Sequence, residues 1–477
     1  MDAKRSKKLM ILGGVLAAAC LATLLALGLK SRQEQIQATG QVVLEVPVPS
    51  VQALSWTTRE DPEGLALHRE EEHWIYDADP AFPVDDQKVD DLLSQFQALA
   101  AAFTIEDPEN LSDYGLTRPT AVIHLETAEE IYEITLGDFS TLDSQRYLSL
   151  GDGKVYLVNH DPYTDFQAQL SDLLLHDTIP HFQEIVSLDI KGVDEYRITY
   201  HPDGGPSYRE EDRFFTQFGS GETPLDPELV EDYLTTISYT TLHDYVTYHA
   251  EPKDLAQYGL DRPELTLTVT YPGENSAETD TFVLQISRDP EELAQHTADQ
   301  EEAPEDITAY ARVGNSSIVY QINGTDYLEL MACTYNDLRH HAVLPADFED
   351  VTQLDIKLDG TSYLLTSRKE SGQRVFSFNG QDVDITDVQN ALTALTADTF
   401  TPATGTGELE IALSITLEGA DHQPALVTIR LERWDGIHCL ALVDGKPFAL
   451  VNRTLAVNLM EAIRAIVLTP QVPVSTF

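Results

Sequence analysis

With 477 residues, 42% hydrophobic and 23% charged, the chain has the composition of folded material and is too long for one ordinary core, which argues for roughly three domain-sized units. Its 30 Lys+Arg against 80 Asp+Glu leave a formal net charge of −50, which repels phosphate backbones and excludes nucleic acid as a partner. Three cysteines, Cys20, Cys333 and Cys439, do not make a disulfide framework; a Cys333–Cys439 bridge stays open, although isolated cysteines commonly act as small buried hydrophobes.

The first element is a basic tail, residues 1–8, followed by an uncharged apolar run from Leu9 to Leu29. A helix over residues 9–29 would reach roughly 32 Å at about 1.5 Å per residue, enough to cross a bilayer core. A cleaved signal peptide has a shorter apolar region and a small-residue cleavage site, and Ala26 to Gly28 is a poor one. A lipoprotein would be cut before Cys20, yet the apolar residues continue well past it. A single-pass anchor fits best. Lys4, Arg5, Lys7 and Lys8 outnumber Lys30 and Arg32, so the N-terminus is expected in the cytoplasm and the acidic remainder outside it. Residues 30–50 then form a linker.

Beyond the linker one pattern is passed through three times, over 51–182, 183–347 and 348–477. Each pass opens on a short strand, "VQALSW", "VSLDIKG" or "VTQLDIKLDG", followed by an aromatic strand or hairpin, "HWIYD", "RFFTQF" or "RVFSFNG". An acid-capped amphipathic helix comes next. In the first pass Val89, Leu92, Leu93, Phe96 and Leu99 recur at helical spacing. Later "RYLSLGDGKVYLVN" is echoed by "HCLALVDGKPFALVN", hairpins with Asp152-Gly153 and Asp444-Gly445 in their turns. A closing helix is expected in "TDFQAQLSDLLL" and "RTLAVNLMEAIRAIVL". The middle pass carries an acidic loop insertion over 287–306, and the last pass is degenerate. The expected fold class is α+β: an N-terminal transmembrane helix, then tandem repeats of mostly antiparallel sheets with amphipathic helices.

The most exact echo is "DPENLSDYGLTRP" against "EPKDLAQYGLDRP". Asp107-Pro108 and Glu251-Pro252 suit a helix start, and Tyr114 and Tyr258 end a short helix. Gly115 and Gly259 then sit where a left-handed residue closes it, with Leu116 and Leu260 folding back on the last turn. Arg118-Pro119 and Arg262-Pro263 push the chain into a strand. The motif therefore reads as a helix stop and strand start rather than a repeated active site. The third pass lacks it.

A Tyr-Gly-Leu-x-x-Pro signature between helix and strand, then "ITLGD" and a "YL…VYLV" hairpin behind an N-terminal anchor, resembles the bacterial family labelled domain of unknown function 4340. The likeness is good over about residues 50–345 and weak over 346–477. It implies a membrane-tethered envelope protein, of a kind often encoded beside the permease and ATPase of an ABC transporter of the gliding-motility or multidrug type. The family pattern has no established catalytic or ligand residues to carry over.

Nothing in the chain matches a Walker or dinucleotide loop or a Gly-x-Ser-x-Gly elbow. His68 and His73 are five apart, off one helical face, and His340-His341 adjoin a predicted helix end. No cofactor is expected. The reading is a non-enzymatic, extracytoplasmic accessory or substrate-engaging component of an ABC-type export system, held in the cytoplasmic membrane through residues 9–29. A cell-wall or polysaccharide binder, stacking sugars on Trp56, Trp74 and Trp434, is the alternative.

Overall fold

A computed structural model of the chain describes residues 40–468, apart from 143, 219–220, 274–277, 296–302, 372 and 419–423. The basic tail, the apolar run 9–29 and most of the linker lie outside the described residues. Among those described, no helix is long and apolar enough to cross a membrane. The protein is β-rich, with three nine-stranded sheets and few helices. It divides into two compact units, one reaching Asp177 and including Tyr245–Ala250, the other formed by Thr178–Asp244 and Glu251 onward.

The first unit holds one sheet. Strand Val51–Thr58 lies inside it, paired antiparallel to Leu65–Glu70 on one side and to Ala121–Thr127 on the other. From Ala121–Thr127 the sheet continues through Ile131–Ser140, Gln145–Ser149 and Val155–Val158 to Leu99–Ile105 and Gln41–Leu44. Ile123, Leu125, Ile134 and Leu136 are fully buried, as period-two alternation in a sheet with one packed face requires. Helix Asp86–Ser94 covers that face with Val89, Leu92 and Leu93, its first turn capped by the Asp85 carboxylate. The helical pattern overran the helix: Leu99 opens the strand Leu99–Ile105, which alternation in an alanine-rich stretch did not reveal. The expected closing helix in "TDFQAQLSDLLL" is two 3₁₀ turns, Pro162–Thr164 and Leu170–Leu173, with buried Phe166 between them, edge-on to Trp56 at 5.4 Å. Within this unit Tyr248 donates to Asp79 at 2.6 Å and packs on Phe82.

The second unit holds two sheets of the same strand order. In one, Ser187–Lys191 pairs with Glu195–Tyr200 and with Leu265–Pro272, and the sheet runs on through Thr279–Arg288, Ala309–Val313 and Val319–Ile322. In the other, Val351–Leu358 pairs with Thr361–Glu370 and Leu409–Glu418, followed by Pro424–Arg433, His438–Val443 and Lys446–Asn452. Helix Pro227–Tyr239 buries Val230, Tyr233, Leu234 and Ile237; helix Arg453–Val467 buries Ala456, Leu459, Met460 and Ile463. The acidic insertion begins later than expected, because Ser287 and Arg288 are buried strand residues. Its opening forms helix Pro290–Gln295, which Glu292 ties to Thr308. Residues 296–302 lie outside the described residues.

In both echoed motifs the short helix is 3₁₀, Leu111–Tyr114 and Leu255–Tyr258. The first begins at Asn110, whose side chain caps Ser112, so Asp107-Pro108 precedes the helix rather than starting it. Gly115 and Gly259 stand at φ 74° and 71°. Leu116 and Leu260 close the fold-back through N–H bonds to Leu111 and Leu255 of 3.1 and 3.0 Å. A Cβ on Gly115 would fall 2.4 Å from the Asp138 carboxyl carbon, and one on Gly259 2.4 Å from the Ser287 hydroxyl.

Two outcomes follow from these contacts. Gly115→Ala and Gly259→Ala will each destabilise the protein by more than the ~1 kcal/mol of left-handed backbone alone. Gly153→Ala, also at positive φ but with open space around it, will cost only that smaller amount, as denaturant midpoints will show. The second concerns pH. Hydrogen bonds to Asp435 and Asp398 raise the half-buried His438 above the ordinary imidazole value. A raised folded value stabilises fully below about pH 6.5 and is lost as pH rises through the raised value. Stability of wild type relative to His438→Gln should therefore shrink between about pH 6 and 8.

Candidate functional site

The expected motif residues are architectural in place as well as in sequence. Tyr114 packs on Tyr147 and Tyr258 on Tyr310, both with ring centroids 5.1 Å apart, so each motif tyrosine meets the third strand after it. Arg118 and Arg262 are exposed, and Pro119 and Pro263 are half-buried at the approach to a strand.

A polar cluster lies in the second unit, among segments 206–212, 335–345 and 443–448, around a cavity of about 550 Å³. Its depth is set by Asp212, on the loop before strand Phe214–Phe218 and only 1% exposed. Asp212 takes a hydrogen bond from the Ser207 hydroxyl and another from His340 Nε2 at 2.9 Å. The opposite nitrogen of His340 faces Asp226 at 3.3 Å. The imidazole thus lies between two carboxylates, one facing each ring nitrogen.

Beside it Arg339 ends the one-turn helix Tyr335–Leu338, itself capped reciprocally by Thr334 and Asp337. The guanidinium lies over three rings: Phe400 at 4.4 Å, Phe448 at 4.8 Å and Tyr335 at 4.9 Å. Burial holds its pKa below the usual arginine value and pushes that of Tyr335 up. The turn Asp444-Gly445, both residues at positive φ, carries the far wall. There the Asp444 carboxylate accepts the Thr428 N–H at 2.8 Å.

In acyl transfer an imidazole stands between hydroxyl and carboxylate; here the carboxylate of Asp212 is the hub, and the Ser207 hydroxyl donates to it directly with no imidazole between them. The thiols are no better placed. Cys333 and Cys439 are free and buried, and burial raises them to about 11 and about 12, so neither is a thiolate at neutral pH. Among the described residues no group of three or more His, Cys, Asp or Glu is arranged to hold a metal ion. His68 and His73 sit on adjacent hairpin strands, each bound to an aspartate, Asp77 and Asp86. Trp56 and Trp74 are 3% and 2% exposed, which corrects the expectation that they offer sugar-stacking faces; Trp434 alone of the three is exposed.

Sequence reading had placed His340 at a helix end but missed Asp212 and Arg339 as its neighbours. The only available signal was the adjacency Leu-Arg-His-His after a capped helix, which carries no ligand information alone. Asp212→Ala leaves His340 Nε2 and the Ser207 hydroxyl without their partner, and should cost about 1–3 kcal/mol in denaturant unfolding. Asp212→Asn, which keeps an acceptor oxygen, should cost less.

The sequence model of the family described as "Domain of unknown function (DUF4340)" matches residues 74–197 and 219–410, more than half of the chain and well into its third sheet. No curated protein and no solved structure matches the chain. Three nine-stranded sheets, two of them carrying a Tyr-Gly-Leu cap, thus belong to a member of the DUF4340 family.

Proposed function

We propose that this chain is a non-enzymatic, membrane-anchored extracytoplasmic binding protein that serves as an accessory or substrate-engaging component of an ABC-type export system. The observation that carries the binding reading is the cavity over Asp212. It joins apolar walls to oriented polar groups and lacks the hydroxyl–imidazole geometry that covalent chemistry needs. The anchor rests on the uncharged run 9–29 and its basic flank, and the transporter on the resemblance to the family's envelope members. An acidic ectodomain suits that setting, since its charge keeps it soluble and off anionic lipid surfaces. The cell-wall alternative loses its platform with Trp56 and Trp74 inside the core.

Affinity purification of the intact protein from detergent-solubilised membranes tests this reading. An ABC permease and its ATPase should co-purify with it. Their absence above background, while the bait is recovered folded, would sink the transporter assignment.

A further inference from the structure

Arg339 is half-buried at the cavity wall, in a chain where many arginines pair with acids. Arg146, Arg197, Arg368, Arg374, Arg453 and Arg464 all pair with carboxylates. Among the described residues no carboxylate and no hydrogen-bond acceptor engages the guanidinium of Arg339. Its contacts are the faces of Tyr335, Phe400 and Phe448. The acids of the cavity wall are already committed, Asp212 to His340 and Ser207, and Asp444 to Thr428. Stacking compensates part of the cost of removing a cation from water. It leaves the in-plane N–H fork without acceptors, and that fork matches a carboxylate bidentately. Around it the wall is apolar, built by Tyr208, Val343, Pro345, Val443 and Phe448.

From this we infer that the cavity binds a small organic carboxylate, its anionic end on Arg339 and its apolar body against Val343, Pro345 and Phe448. This deepens the binding reading above and needs no transporter. It also assigns the surrounding acids a part. The His340 cluster holds the Asp212 charge away from the guanidinium, so a ligand carboxylate meets a cation already cleared of competing acids. An apolar cation would meet Asp212 and Asp444 only where they are already paired, and would face Arg339 directly.

The test uses the full chain in zwitterionic nanodiscs, with empty nanodiscs as the partition control. The probe is 3-(4-fluorophenyl)propionate, followed by ¹⁹F line broadening, against 3-(4-fluorophenyl)propanol, which has the same body and no charge. The propionate should bind saturably and about tenfold more tightly than the alcohol, as expected for one charge-assisted bidentate pair. Arg339→Met, which keeps the apolar stem, should remove that difference while leaving the alcohol unchanged; Arg339→Lys should restore only part of it. A second measurement needs no substitution: phenylglyoxal labelling of Arg339 in the native protein, read by peptide mass spectrometry, should be slowed by the propionate and not by the alcohol. Equal binding of the two probes, no saturable binding, or labelling of Arg339 indifferent to the propionate would each overturn the proposal. Because no partner protein is present, failure here and failure of the transporter reading are separate results.

Discussion

The structure depends on one long-range pairing, made three times: the strand that opens each sheet lies beside the strand reached only after the helix has crossed over. Its register is the same kind of match in each case. Leu54 faces Leu125 and Trp56 faces Ile123; Leu188 faces Val269 and Ile190 faces Leu267; Leu354 faces Ile415 and Ile356 faces Leu413. All twelve side chains are buried. Closing so long a loop costs entropy, and the burial of these residues, about 1.5–3 kcal/mol for each large aliphatic side chain, offsets it. A slip by one residue would turn every one of them to the wrong face, so the pairing also fixes the register of the hairpins that extend the sheet outward on either side. The Tyr-Gly-Leu caps belong to this constraint. They stop a helical turn at the point where the incoming strand must align, and glycine is required there by φ and by the approach of Asp138 or Ser287.

How much of this was legible follows from what period and punctuation can encode. The opening strands, the helices at 86–94, 227–239 and 386–393, and the Asp444-Gly445 hairpin all carry a clear period or turn dipeptide. The strand Leu99–Ile105 does not, because Leu-Ala-Ala-Ala has the spacing of a helix continuing from Leu92 and Phe96. Tertiary pairing with Val155–Val158 overrides it. The 162–173 segment failed in the opposite sense. Its apolar spacing fits a helix, but Phe166 is drawn in against Trp56 and Phe96, and the chain is extended at Gln169, leaving two separate turns. The start of the first cap was misplaced for a local reason. Asn110 competes with Asp107 as the N-cap and wins by accepting the Ser112 N–H.

The candidate site was not legible, and for a different reason. A reading built on repeats finds what the passes share, whereas the cavity is made from what they do not. Asp212 sits in a long loop of the second pass that neither neighbour has; Arg339 and His340 lie on the joint leading into the third; Phe448 and Asp444 belong to a hairpin of the third. Only folding brings these positions to one place, and each alone has an ordinary explanation.

The charge of the chain sharpens the point. With acids outnumbering bases by 80 to 30, almost any guanidinium can find a carboxylate at small cost, and a protein gains little by denying it one. Three aromatic rings converge on Arg339 from separate segments, and His340 and Ser207 hold the deeply buried acid of the cavity wall. Together they keep a cation half-buried and unneutralised, and neither the sheet pairing nor the caps require that. The fold would close with a leucine or methionine between those rings at less desolvation cost. A charge kept against that cost, at the wall of a largely apolar cavity in the second unit, has its simplest physical account in an anion that arrives from outside the chain.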